Sequence, residues 1–369
     1  MCSPIKFTLP GAPTTSGFLP NLAWKTCCNF FIMVLAENFN FIAITYSYRN
    51  CMSFSIGHYK ENGLSLIGLQ DTATNTKIAI LPAFGAILHA FEIPVQNAAW
   101  NVIDNYPSLQ AVESGLATSF KSSKLSPFVC RMDAGKYELD DEVMEFTNKF
   151  QDGSAIHGLL YNKAFNTVHE FADDHKATVS LRYHYKKEDP GYPFDYVCEV
   201  RYTLLHHQTL QVETTVLNLE ELSIPVADGW HPYFQLGAPI DDCTLQFASD
   251  MMLEFDEKLI PTGRLIREPA FMEPVLLEKR FLDNCFLLQV QEGVPCCMFR
   301  NPANKLSVSF FTNSYYPYLQ IYTPDHRNSI AIENLSAAPD SFNNGMGVML
   351  LPPRQSHTFT VWYQVQVEK

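Results

Sequence analysis

From about Ile56 to Val367 the chain alternates apolar and polar side chains with a period of two, the signature of strands with one buried face. In ATVSLRYHYKK, Val179, Leu181, Tyr183 and Tyr185 fall on one face and Ser180, Arg182 and His184 on the other. TLQVETTVLN does the same with Leu210, Val212, Thr214 and Val216, after a polar turn at His206 to Thr209. HTFTVWYQVQV sets Phe359, Val361, Tyr363, Val365 and Val367 against Thr360, Gln364 and Gln366. Helical periodicity is scarce, and the pattern supports only short turns such as one around Asp250 to Phe255. No repeat of 20 to 50 residues recurs, which disfavours solenoids and propellers. The pattern predicts an all-β fold of large antiparallel sheets packed face to face, with no linker inside residues 56–367.

The first 51 residues break this pattern. They hold four charged residues, Lys6, Lys25, Glu37 and Arg49, yet four of the ten cysteines and four prolines. Their apolar run Phe30 to Ala36 falls short of the roughly 20 residues that span a bilayer, and no short basic region precedes it as in a signal peptide. Residues 1–51 are expected to be an atypical extension, poorly folded or an upstream translation artefact, and residues 52–369 a single catalytic domain.

Composition narrows the ligand. With 369 residues, 47% hydrophobic and 18% charged, the chain can bury a large core. A net charge of −13 argues against nucleic acid or an anionic membrane as partner, since both need clustered Lys and Arg. A small neutral molecule suits that balance. The cysteines form no CxxC pair and no dense short scaffold, which points to a reducing cytoplasm.

Six places set polar groups inside apolar or Gly/Pro-punctuated stretches: Arg131 in FVCRMDAGKY, His157 in SAIHGLLYN, His231 in ADGWHPYFQLG, Asp283 in FLDNCFLL, Gln320 with Tyr322 in YPYLQIYTPDHR, and Glu333 in SIAIENLSAAPD. Each has a plainer reading. A lone histidine is more often a hydrogen-bonded structural residue, Arg131 and Asp283 suit surface ion pairs or turns, and Gln320 with Tyr322 suit one face of a strand. Glu333 follows Ile330, Ala331 and Ile332, so desolvation would raise its pKa toward useful base strength.

Taken in order, SSKLSPFVCRMDAGKYEL, AIHGLLYN, GYPFDYVCEVRYTL, GWHPYFQLG, LDNCF, LQIYTP and AIENLSAAPDSFNNGMGVMLLPP resemble the aldose 1-epimerase (galactose mutarotase-like) family over about residues 56–367. The resemblance implies a β-supersandwich with an open sugar cleft, no metal and no organic cofactor. It places the catalytic acid on His231, the general base on Glu333 and a substrate-positioning histidine on His157. Arg131, Asp283 and Gln320 match positions that hydrogen-bond sugar hydroxyls. Members acting on free galactose usually carry Asn before the arginine, Gly-Gly after the first histidine and Asn before the acid histidine. This chain has Cys130, Gly158-Leu159 and Trp230 there, which resembles the bacterial GWHPYF branch.

The chemistry implied is interconversion of the α and β anomers of a free aldohexose. One base removes the anomeric hydroxyl proton and one acid protonates the ring oxygen, each worth typically about 10²–10⁴-fold. Glu333 and His231 are then expected to face each other across a gap wide enough for a monosaccharide, with Trp230, Tyr233 and Phe234 either stacking on the sugar or lying mostly in the core, with only one or two lining the cleft. A monomer or homodimer is expected. A hexose-6-phosphate epimerase would need further cations, a glycoside hydrolase a second carboxylate with a matching role, and a binding module no acid or base at all. No local run of His, Cys or Asp has the spacing of metal ligands.

Overall fold

The computed structural model describes residues 53–95 and 98–368, with the backbone of two short strands, Phe31–Val34 and Ile42–Thr45. Contacts divide the chain into Met1–Cys51 and Met52–Lys369. In the first unit the two strands pair antiparallel, Phe31 opposite Thr45. Otherwise the expectation for residues 1–51 lies outside the described residues.

The second unit is built on two large antiparallel sheets. One has nine strands, in the spatial order Asn166–Ala172, Lys176–Lys186, Asp195–Leu205, Thr209–Asn218, Ser356–Val367, Leu306–Thr312, Cys297–Arg300, Thr244–Phe247 and Val275–Leu276. The other runs Pro261–Arg267, Met251–Phe255, Asp283–Leu287, Tyr318–Tyr322, Ile330–Leu335, Gly229–His231 and Ser123–Leu125, with Tyr233–Phe234 also paired to Ile330–Leu335. A five-stranded meander, Phe54 to Asn101, adds a third sheet.

Alternation explains why the two large sheets meet. In Thr209–Asn218 every second residue is buried, and the register sets Val212 beside Tyr202 and Val361. These face the apolar side of the second sheet: Phe234 meets Phe310 at 4.9 Å between ring centroids, Trp230 meets Tyr202 at 5.9 Å, and Phe286 meets Phe247 at 4.5 Å. Each such ring contributes roughly 1.5–3 kcal/mol of transfer free energy. The meander joins the same core through Phe54, Leu69, Ile80 and Phe91. The expected supersandwich with few helices is what the structure shows.

Two local expectations change. The segment expected to turn around Asp250 to Phe255 is a strand, Met251–Phe255, because Met252 pairs with both Ile266 and Phe286. The longer of the two α-helices among the described residues lies elsewhere, at Leu109–Ser119, where Ser108 Oγ accepts from the Ala111 amide as an N-cap and Phe120 closes the last turn in the left-handed region. Only Val112 and Leu116 of this helix are buried, so its apolar stripe is too narrow to stand out in the sequence.

Among the described residues no helix is long and apolar enough to cross a membrane. Cys130, Cys198, Cys243, Cys285, Cys296 and Cys297 are free and buried, serving as small apolar side chains.

Phe286 is fully buried between the sheets. Phe286→Ala is expected to cost about 3–5 kcal/mol, read as a lower denaturant midpoint at unchanged slope.

Candidate active site

Strand register assembles the site. Gly229 stands opposite Leu335 and Tyr233 opposite Ala331, so His231 stands opposite Glu333. On the other side of the same strand Gln320 pairs with Glu333, and beyond it Asp283 pairs with Tyr322. Side chains two residues apart share a face, so His231, Tyr233, Glu333, Gln320, Tyr322 and Asp283 all project from one face of the second sheet. Trp230, Ile332 and Ile321 project from the other, into the core. Pro232 lacks a ladder donor, yet its carbonyl still accepts from the Ile332 amide at 3.3 Å, which keeps the register across the interruption.

Two loops close the face. His157 has φ +61° and Gly158 φ +75°, a tight corner pinned by the His157 amide on the Cys130 carbonyl and the Leu159 amide on Ser126. A Cβ at Gly158 would lie 2.3 Å from the Ser126 carbonyl oxygen, so only glycine lets the loop approach this closely. Arg131 sits in a two-residue strand against Ala155–Ile156 and donates through Nη1 to Asp152 at 2.8 Å and Ser154 at 3.2 Å.

All seven residues singled out in the sequence, Arg131, His157, His231, Asp283, Gln320, Tyr322 and Glu333, line one cavity of about 250 Å³. Thr118, Ser119 and Phe120 at the helix end, with Phe150, Phe255 and Leu259, add walls that no local pattern announced. The rings form a column. His231 stacks on Tyr233 at 5.1 Å, meets His157 edge-on at 4.8 Å, and His157 in turn meets Phe120 at 4.6 Å.

Of the two aromatic readings the core one holds: Trp230 and Phe234 are buried on the core side, and of the three rings only Tyr233 lines the cavity. The gap expected between Glu333 and His231 is absent. Glu333 Oε1 lies 3.3 Å from His231 Nε2, so the two groups stand side by side under the cavity.

Burial sets the electrostatics. It pushes Glu333 well above the usual carboxylate range, and nearby Asp283 adds to the push. It lowers His231 to about 4 and holds His157 well below the ordinary imidazole value, with His231 and Arg131 adding to the latter. Asp283 is raised by burial, against the opposing pull of Arg131 and a hydrogen bond from Gln320 Nε2 at 2.8 Å. Burial thus favours the neutral form of the imidazoles and of the carboxyl alike. His157 Nδ1, His231 Nδ1, Gln320 Oε1 and Glu333 Oε2 are buried without a hydrogen-bond partner in the protein. Such groups cost about 1–3 kcal/mol each unless something satisfies them, and all four belong to residues lining the one cavity.

Folding also gathers a donor set that local spacing did not suggest. One donor atom each from His157, His231 and Glu333 lies within 4.8 Å of the others, two imidazoles and a carboxylate of the kind that can hold a zinc ion.

A family model for aldose 1-epimerase matches residues 69–364, and the chain belongs to that family. Among curated proteins, an uncharacterized protein of Escherichia coli K12, YihR, is 25% identical over 240 residues, covering 63% of this chain and 75% of the relative. Among solved structures, a galactose mutarotase-like protein from Clostridium acetobutylicum aligns with a TM-score of 0.76 at 18% identity, over 86% of this chain and 99% of that one. A galactose 1-epimerase from Lactobacillus acidophilus aligns with a TM-score of 0.70 at 19% identity, over 86% of this chain and all of that one. At these identities the two structures speak for the fold.

Gly158→Ala is expected to destabilise the protein by more than about 1–2 kcal/mol, the ordinary cost of a left-handed non-glycine residue, because the added Cβ also meets Ser126. Chemical denaturation reads it, and a variant of unchanged midpoint would show that the corner relaxes freely.

Proposed function

We propose that the protein is an aldose 1-epimerase that interconverts the α and β anomers of a free hexose, with Glu333 as base and His231 as acid. The observation that carries this reading is the 3.3 Å contact between Glu333 Oε1 and His231 Nε2 on the face that lines the cavity. The anomeric hydroxyl and the ring oxygen are bonded to the same carbon, so a base for one and an acid for the other must stand close together.

In the productive form the pair holds one proton, on the imidazole. Glu333 takes the proton of the anomeric hydroxyl, His231 protonates the ring oxygen, and the bond from the anomeric carbon to the ring oxygen breaks to give an open-chain aldehyde. After rotation about the neighbouring carbon–carbon bond, attack of the hydroxyl on the other face reverses both transfers. Proton count is conserved. The intermediate state, carboxyl protonated and imidazole neutral, is the distribution that burial favours in the free protein. The desolvated pair is therefore matched to the open-chain intermediate, and the proton has only the short contact between the two side chains to cross.

Gln320, Asp283 and Arg131 would hold sugar hydroxyls, as amide, carboxyl and guanidinium groups do in directional pairs, and His157 would position the ring against His231. Arg131 is the one cationic side chain lining the cavity among the described residues, and Asp152 already pairs with it. That balance favours a neutral sugar over a 6-phosphate. A non-catalytic sugar-binding protein is the second reading, since unpartnered polar atoms converge on the cavity whether or not a proton moves. The buried free cysteines suit a reducing cytoplasm.

Polarimetry of freshly dissolved α-glucose and α-galactose, with their 6-phosphates, separates these readings. Mutarotation of at least one free hexose is expected to accelerate in proportion to protein, and no acceleration across the panel would leave the binding module standing. Glu333→Gln and His231→Asn are each expected to lower kcat at least about 100-fold while calorimetry still detects sugar binding. Full activity in either variant removes that residue from the mechanism.

A further inference from the structure

Lys124 is a lysine with no exposed side-chain surface, paired to an equally buried Asp228 at 2.6 Å. Its ammonium also donates to the Gly229 carbonyl at 2.9 Å and sits 4.5 Å over the Trp230 ring. Asp228 Oδ2 accepts from the Tyr316 hydroxyl at 2.5 Å. The Asp228 backbone exchanges two hydrogen bonds with Ser336, its amide to Ser336 Oγ and its carbonyl from the Ser336 amide, each at 2.8 Å. Ser336 directly follows the strand that carries Glu333, and Lys124 lies on the neighbouring strand, where it pairs with Trp230 while Ser123 pairs with His231. The pair therefore ties three strands together on the core side of the sheet, directly behind the catalytic face.

Stability does not account for such a pair. Withdrawing two charges from water costs about as much as their attraction returns, and apolar residues of similar volume are often neutral or stabilising in its place. Specificity does account for it. A slip of one residue between Gly229–His231 and its neighbours would turn His231 into the core and Trp230 into the cavity. It would also separate Lys124 from Asp228 and leave two buried charges unpaired. We infer that the Lys124–Asp228 pair is a register lock, a positioning device that holds His231 opposite Glu333.

This inference rests on His231 being the acid, so the test reads the ring as well as turnover. Two full-chain variants are compared with the parent: Lys124→Met/Asp228→Leu, and Lys124→Met/Asp228→Asn, which keeps an acceptor for Tyr316. Both are expected to unfold cooperatively within a few degrees of the parent. kcat is expected to fall about 10- to 100-fold, as misplacement by an ångström does, with little change in KM. In NMR spectra the cross-peaks between the His231 and His157 rings, 4.8 Å apart in the parent, are expected to weaken. Parental kcat in a folded variant overturns the lock. Parental His231–His157 cross-peaks overturn it even if the protein turns over no sugar, while an inactive parent whose variants lose them overturns the functional reading alone.

Discussion

Everything at the site depends on the antiparallel pairing of residues 229–234 with 330–335 and of those with 318–322. Because side chains alternate across a strand, that single register decides which groups share the cavity and which enter the core. It sets an imidazole, a carboxyl and an amide in a row, His231, Glu333 and Gln320, and puts Trp230, Ile332 and Ile321 behind them. The packing that excludes water from the row is the same packing that holds the sheets together, so the site inherits its dryness from the core.

Dryness then does the electrostatic work. In water a glutamate and a histidine would both be largely in their familiar states at neutral pH; here burial moves them in opposite directions, the carboxyl up and the imidazole down. Both shifts favour the neutral form of each group. Asp283 adds to the rise of Glu333 from the same face while Gln320 holds it in place. Arg131, paired with Asp152 at the rim, acts from there on Asp283 and His157.

Much of this was legible in the residues. Period-two alternation announced the long strands, and the six polar positions set in apolar surroundings all reached the cavity. Alternation also sorts the rings: Trp230, Pro232 and Phe234 share one parity and His231 and Tyr233 the other, which separates core rings from cavity rings. What could not be read was pairing, because nothing local says that residue 231 meets 333 and not another strand. The same limit hid the His157, His231 and Glu333 donor set, the narrow-striped helix whose end walls the cavity, and the Lys124–Asp228 pair, whose members are separated by 104 positions in the chain.

Burial raises the proton affinity of Glu333 and lowers that of His231, and the pH dependence of kcat/KM for mutarotation reads both, since it reports the free protein's acid and base. With the uncatalysed rate subtracted, kcat/KM is expected to stay level as the pH falls below neutral. The rate should fall on the acid side only near pH 4, where His231 gains a second proton for the pair, and on the alkaline side where Glu333 loses the pair's last one. An acid limb near pH 6.5, the value of a solvated imidazole, would contradict it.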